Sequence, residues 1–380
     1  MNQTIDSPLD AVTCEDPYPY YASLVCERPF YFDPLLDLWV ASSAAAVDEV
    51  LGSRSLGVRP PDEPVPANLA DSRAGDIFRH LIRMTDGPFH QATKPAIESA
   101  LNAIDPQLAR GSAREVAELI LDGLDLARLP EAVDRFMFQF PVSVVARLAG
   151  VTDADLELTA RSTGIFVDAL KPGSSQIARD LGYAAGGYLL GRRGTAPAGE
   201  PSELLEDLTG KLERDVALAN ALGLLMQSYE ATAGLIGNTL VALRRLAGDD
   251  DSMEDVDERF VREVARFDSP VQNTRRFAAS ACRIAGRQIR SGEAILVILA
   301  AANRDPVVNP DPHRFHPERR QPRLYTFGHD AHACPGAGLA IRIAVEGIAA
   351  LTRSEVEFDL LPKPVGYVDS LNARIPRFSA

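Results

Sequence analysis

Residues 215–248, DVALANALGLLMQSYEATAGLIGNTLVALRRLAG, carry the longest helical signal in the chain and are apolar on nearly every side. A surface helix keeps one polar face, so a helix without one has to run through an interior. At 380 residues the chain is long enough to build that interior. The segment leading up to it reads as helical from about residue 76 onward. Amphipathic runs such as ARGSAREVAELILDGL and FPVSVVARLAGV follow one another there, separated by Pro, Gly and Asp. Two stretches read as loops: RPPDEPVPANLADSRAGD at 59–76 and GTAPAGEPSE at 194–203.

The remaining sequence adds a little sheet. Residues 1–60 read as mixed structure, with a helix-like piece at Ala44–Leu51 between short β-like runs. Residues 257–267 read as a helix, and 277–300 carry short strands around an SGE turn. LVILAAA, residues 296–302, has the length of a strand, far short of a membrane span. The Pro- and Arg-rich segment 303–326 shows no periodicity; one more helix follows Cys334, then a strand-like tail. No repeat, low-complexity tract or interdomain linker interrupts the chain. The expectation is a mainly α fold with small β-sheets, residues 1–380 forming a single large domain.

Composition narrows the class. Hydrophobic residues make up 46% and charged residues 24%, as in soluble globular proteins. A formal charge of −14 argues against nucleic acid as a partner. The balance reverses locally: Arg304 to Arg342 holds six Arg against four Asp or Glu, plus four of the six His. Such a region suits a docking face for an acidic partner, or is a scattered set of solvated arginines. Four cysteines, Cys14, Cys26, Cys282 and Cys334, form no CxxC pair and no disulfide framework. The N-terminus MNQTIDSPLD has no signal-peptide pattern, and no apolar run is long enough to span a membrane. The expected setting is the cytoplasm.

Chemistry concentrates in FGHDAHACPGAGLA, Phe327–Ala340. Two histidines and a cysteine within six residues allow three readings: a zinc or iron–sulfur site, a nucleophilic cysteine, or a thiolate ligand to haem. Cys334-Pro335-Gly336 lies just before the helical run AGLAIRIAVEGIAALTR. The sulfur would sit at a helix N-terminus, where unpaired N–H groups and the helix dipole favour a thiolate. An inert buried cysteine is the bland alternative, and it leaves the ordered surroundings unexplained.

Phe327-Gly328, His332, Cys334 and Gly336 resemble the haem-binding loop of the cytochrome P-450 superfamily, F-G-x-x-x-H-x-C-x-G. Asp330 stands where that family usually has Gly or Ser. Glu263-Val264-Ala265-Arg266 resembles its E-x-x-R helix, and AANRDP and DPHRFHPER resemble the strand and meander that complete the pairing, with Arg314 as third member. In DGPFHQATK, His90 and Lys94 stand where the family has H-x-x-x-R, Lys lacking the bidentate fork of Arg. Arg276 matches a further propionate-binding arginine. These motifs run in the family's order from residue 84 to 342. The resemblance implies haem b held between the long central helix and the Cys-loop helix. It makes Cys334 the iron ligand and His90, Lys94, Arg276 and His332 propionate contacts, with Phe327 and Gly336 shaping the loop.

The central helix departs from the family, which usually reads A/G-G-x-D/E-T where this chain has Gln227-Ser228-Tyr229-Glu230-Ala231. The acid remains as Glu230; the alcohol is replaced by Ala231, and Thr232 stands one residue on, turned by about 100°. A substrate hydroxyl or water would complete the proton relay, or Gln227 or Ser228 would. Otherwise the enzyme bypasses the relay with peroxide, or runs oxidative coupling or desaturation. Gln272, Asn273, Thr274 and Asn372, with Gln227 and Ser228, point to a substrate with polar groups, or else satisfy one another and the backbone. The resemblance implies a monomeric monooxygenase that acts on a small organic substrate with dioxygen. A separate ferredoxin-type donor would dock through Arg314, Arg319, Arg320, Arg323 and Arg342. A non-catalytic haem sensor is the alternative outside enzymes.

Overall fold

The computed structural model describes residues 5–67, 69–70, 72–125, 128–171, 174–176, 180, 182, 184–185, 203–247, 256–353 and 363–380. Among the described residues the α-helices run in chain order: α1 (Tyr18–Glu27), α2 (Ala44–Gly52), α3 (Arg73–His80), α4 (Gly87–Ala103), α5 (Pro106–Asp122), α6 (Leu129–Leu148), α7 (Asp153–Ala169), α8 (Glu203–Lys211), α9 (Arg214–Ala247), α10 (Glu258–Phe267), α11 (Leu299–Asn303) and α12 (Ala337–Arg353). The strands are β1 (Phe30–Asp33), β2 (Leu38–Ala41), β3 (Leu56–Gly57), β4 (Thr274–Ala278), β5 (Cys282–Ile284), β6 (Arg287–Ile289), β7 (Ala294–Val297), β8 (Gly366–Tyr367) and β9 (Pro376–Arg377).

Backbone contacts gather the chain into two compact units, each assembled from non-adjacent segments. The first comprises residues 1–62, 234–334 and 357–380; the second comprises 63–233 and 335–356. All the described strands belong to the first unit. Its main sheet has the order β1-β2-β7-β4-β3, with β2 parallel to β7 and the other neighbours antiparallel. β7 is covered on both faces, which explains its unbroken apolar sequence. Ile295 and Val297 face a cluster with Val47, Val50, Leu56, Ile289 and Tyr325. Leu296, on the alternate face, meets Tyr21, Leu24, Leu38 and Val40. The expected strand over 296–302 ends early: Leu299–Asn303 is helical, as its alanines favour. AANRDP therefore enters the fold as the end of α11 rather than as a strand.

The second unit is helical among its described residues. α5 packs against α6 and α12, α6 against α7, and α4 against α8. Caps mark where several helices begin. Asp105 Oδ1 accepts from the amides of Gln107 at 2.7 Å and Leu108 at 3.0 Å, with Pro106 opening α5. Ser72 Oγ likewise accepts from Gly75 N at 3.1 Å and starts α3 inside the stretch read from sequence as a loop to residue 76. Prolines punctuate less than the sequence suggests: α4 continues through Pro95 and α6 through Pro141, so FPVSVVARLAGV supplies the second half of one longer helix. The expected loop at 194–203 lies outside the described residues, apart from Glu203, which opens α8.

The long helix appears as Arg214–Ala247, and no residue between Val216 and Leu243 is exposed. Within that interior run, Met226, Gln227, Tyr229, Glu230 and Ala231 are only partly buried. Among the described residues, no helix is long and apolar enough to cross a membrane.

Candidate active site

The cysteine loop in the first unit is fixed at its entrance. Thr326 Oγ1 donates to the carbonyl of Ala265 at 2.6 Å, and Asn303 Nδ2 donates to Thr326 Oγ1 at 2.7 Å. Asn303 Oδ1 also accepts from the amide of Tyr325 at 2.6 Å. Beyond that anchor the chain folds on itself: Gly328 N donates to Tyr325 O at 2.8 Å, and Cys334 N donates to Phe327 O at 2.7 Å. Gly328 has φ +71°, and a Cβ there would lie 2.9 Å from the carbonyl oxygen of His332. Only glycine meets both conditions. Asp330, the departure from the family loop, holds φ +56°, a conformation that Asp tolerates better than most residues.

The turn Asp330–His332 leads to Cys334, whose side chain is exposed. Pro335-Gly336 separates it from Ala337, where α12 begins, and Gly336 O accepts the first helical bond from Ala340 N at 2.9 Å. Cys334 therefore precedes the first residue of that helix by three positions in the chain. Arg276 is buried on β4, with Nη1 donating to Arg275 O at 2.8 Å. In the second unit His90 and Lys94 are buried one turn apart on α4. The first unit's donor chemistry fits haem b: an accessible cysteine sulfur can ligate iron, and the buried Arg276 suits a propionate.

Glu263 and Arg266 form a fully buried bidentate pair, with side-chain exposures of 1% and 0%. Arg266 Nε and Nη2 donate to the two carboxylate oxygens at 2.8 and 2.7 Å. Its remaining capacity goes to the carbonyls of Asn303 at 3.3 Å, Pro312 at 2.9 Å and Arg314 at 3.1 Å. The third cation is Arg319, whose Nε lies 3.4 Å from Glu263 Oε2; His316 N donates to Oε1 at 2.9 Å. This corrects the sequence assignment of Arg314. That side chain is exposed, and only its backbone carbonyl enters the network. The quoted run DPHRFHPER contains both arginines, and spacing alone did not choose between them.

Gln227, Ser228, Glu230, Ala231 and Thr232 all lie on α9. Ser228 Oγ donates to Leu225 O and Gln227 Nε2 to Gly223 O, both at 2.8 Å. Glu230 is engaged as well: Lys171 Nζ lies 2.9 Å from its Oε1 and 2.8 Å from Asp168 Oδ1. Burial works against the Lys171 ammonium, yet hydrogen bonds to the two carboxylates raise its pKa. The neighbouring Tyr229 phenol is pushed up to about 12 by burial first, then by the Asp168 and Glu230 charges. Lys171 was missed by sequence reading because nothing marks a lysine 59 positions before its partner.

The polar positions expected to line a pocket largely satisfy themselves. Gln272 Nε2 donates to Ser269 O at 2.6 Å and Asn273 Nδ2 to Leu371 O at 2.8 Å, while Asn372 is exposed. Gln272 Oε1 is buried without a protein partner. Of the expected docking arginines in the first unit, Arg319 is committed to Glu263 and Arg323 to Asp48 at 2.9 Å. Arg314 and Arg320 are exposed.

A family model described as "Cytochrome P450" matches residues 216–350. Mycinamicin IV hydroxylase/epoxidase of Micromonospora griseorubida is 30% identical over 340 residues, covering 84% of this chain and 82% of that protein. Vitamin D(3) 25-hydroxylase of Pseudonocardia autotrophica is 29% identical over 363 residues, covering 89% and 85%. The solved structure of P450 RauA, complexed with a biosynthetic intermediate of aurachin RE, superposes with a TM-score of 0.76 at 22% identity, covering 98% of this chain and 96% of that one. The last likeness establishes the fold. Taken with the relatives and the cysteine loop, it places this chain in the cytochrome P450 family, among the bacterial oxygenases that carry haem b.

Proposed function

We propose that this protein is a haem-thiolate monooxygenase that inserts one oxygen atom of dioxygen into a small organic substrate of secondary-metabolite type. The observation that carries this reading is the exposed Cys334 on a loop closed by its own amide on Phe327 O at 2.7 Å. Bound haem iron supplies dioxygen activation, which needs two electrons and two protons. Cys334 is assigned as its ligand, with Phe327, Gly328 and Gly336 setting the sulfur's position. Arg276 and His332 in the first unit, and His90 with Lys94 in the second, are assigned to the propionates. Relatives named for hydroxylating mycinamicin IV and vitamin D(3) support an organic substrate of this kind. A separate ferredoxin-type protein and its reductase are assigned to supply the electrons. Arg314 and Arg320 are the docking charges left to the first unit. We take residues 1–380 as one functional domain, acting as a monomer in the cytoplasm.

Proton delivery is assigned to Glu230, whose carboxylate Lys171 holds toward the end of α7. Ala231 has no hydroxyl. Ser228 and Gln227 already donate to their own helix, so a water or a substrate hydroxyl is the group left to complete the relay. The same observations favour a second reading, in which peroxide serves as oxidant and the relay is not required.

The assignment is tested on the purified, haem-loaded protein. Its reduced carbon monoxide complex should show the thiolate-type spectrum, and Cys334→Ser should abolish that spectrum while the helical circular dichroism persists. A spectrum unchanged by Cys334→Ser overturns the reading.

A further inference from the structure

We propose that Asp48, on α2, is a positioning residue for Cys334, clamping the loop that presents the sulfur. Its carboxylate is a junction for three side chains from the segment leading into that loop. Oδ1 accepts from Arg323 Nη2 at 2.9 Å, and Oδ2 accepts from the Tyr325 hydroxyl at 3.0 Å. His329 Nε2 lies 3.7 Å from Oδ1 and 3.2 Å from Arg323 Nη2. One turn later on the same helix face stands Gly52, where a Cβ would lie 3.2 Å from Asp330 Oδ2. One stripe of α2 therefore meets the loop's entrance at Arg323 and Tyr325 and its turn at Asp330.

The loop has reason to need outside support. Asp330 holds φ +56°, a left-handed conformation that costs a non-glycine residue energy and persists only where the surroundings impose it. From inside, Asn303 and Ala265 fix Tyr325 and Thr326; from the α2 side, Asp48 fixes Tyr325 again and adds Arg323 and His329. Burial first, opposed by Arg323 and reinforced by Asp48, pushes the Tyr325 phenol up to about 12, so it remains a donor across the working pH range. The clamp is also accessible, with Asp48 38% and Arg323 41% exposed. Charge pairs this open contribute little to global stability. Changes at Asp48 therefore separate loop position from folding.

The proposal rests on Cys334 as iron ligand, and its test has a part that needs no iron. Haem-loaded full-length wild type is compared with Asp48→Ala and Asp48→Glu by hydrogen exchange over residues 325–334, and by the rate at which the thiolate-type carbon monoxide spectrum gives way to the thiol-type one. We expect exchange at Gly328, Ala333 and Cys334 to rise about tenfold in Asp48→Ala, and the spectral conversion to accelerate about tenfold, at temperatures where circular dichroism is unchanged. Asp48→Glu should restore most of both. If Asp48→Ala does not fold, Tyr325→Phe removes one donor alone and should give the same changes at smaller size. Wild-type rates in these variants overturn the proposal. So does exchange that rises equally in β4 and β7, which would mark a fold-wide loss of stability. A failure of the family reading looks different: Cys334→Ser would then keep the spectrum, while the exchange result for Asp48 would still stand.

Discussion

Arg266→Ala removes a side chain that makes five hydrogen bonds in a site closed to water. Glu263 keeps the His316 amide at 2.9 Å and Arg319 at 3.4 Å, but loses both of its short bonds. Three carbonyls lose a donor with it. Breaking a buried pair by removing one partner costs about 3–5 kcal/mol. Against a total stability of about 5–15 kcal/mol, that is a large fraction. Arg319→Ala should cost less, about 1–2 kcal/mol, because Arg319 sits at the edge of the pair and its longer contact with Glu263 is shared with backbone carbonyls. Arg314→Ala should stay within about 0.5 kcal/mol, since only its backbone carbonyl takes part and every residue has one. Urea unfolding of the haem-loaded protein, followed by circular dichroism, gives the three values on one scale. The order Arg266, Arg319, Arg314 is the result the geometry requires. An Arg314→Ala as costly as Arg319→Ala, or an Arg266→Ala near zero, refutes the reasoning.

Three further substitutions address the second unit and the pH response. Glu230→Gln should lower dioxygen-driven turnover by about 100-fold if Glu230 feeds protons, and Lys171→Met, which releases Glu230, should change product formed per reductant consumed while leaving the carbon monoxide spectrum alone. Unchanged values in both variants would make the pair a structural tie between α9 and the end of α7. Asp268 is fully buried; burial raises its pKa, but Arg374 at 2.9 Å and the Tyr18 hydroxyl outweigh it and hold the carboxyl below its ordinary range. A depressed folded-state pKa stabilises the fold above the unfolded value of about 4 and loses that contribution as pH falls through the folded one. The acid limb of a stability–pH curve should therefore flatten in Asp268→Asn, and an unaltered limb would show that the Arg374 pair does not govern it.

How legible the protein was in its sequence depended on the range over which each feature is decided. The long α9, the run of α4 to α6 and the E-x-x-R pair are local: apolar periodicity fixes the first two, and a spacing of three residues puts Glu263 and Arg266 on one helix face. Boundaries failed where a local rule met tertiary packing, as at Pro141, which lies inside α6 although the sequence reading treated proline as a separator. The cysteine loop was legible because its glycine, histidine and cysteine are constrained by a tight turn spanning eight residues, closed by Cys334 on Phe327. Its supports, and the fold's other long-range pairs, were not. Asp48 meets Arg323 across 275 positions, Arg374 meets Asp268 across 106, and Arg319 reaches Glu263 across 56. A carboxylate seeking a guanidinium has many candidates in a chain with 35 arginines, and pattern alone gives no reason to prefer Arg319 over Arg314. The choice is made by where the backbone can offer further acceptors. Arg319 sits within reach of the carbonyls of Pro310, Asp311 and Arg314 as well as Glu263. A buried cation settles where the most lone pairs converge, and that convergence is a property of the folded loop rather than of any short stretch of sequence.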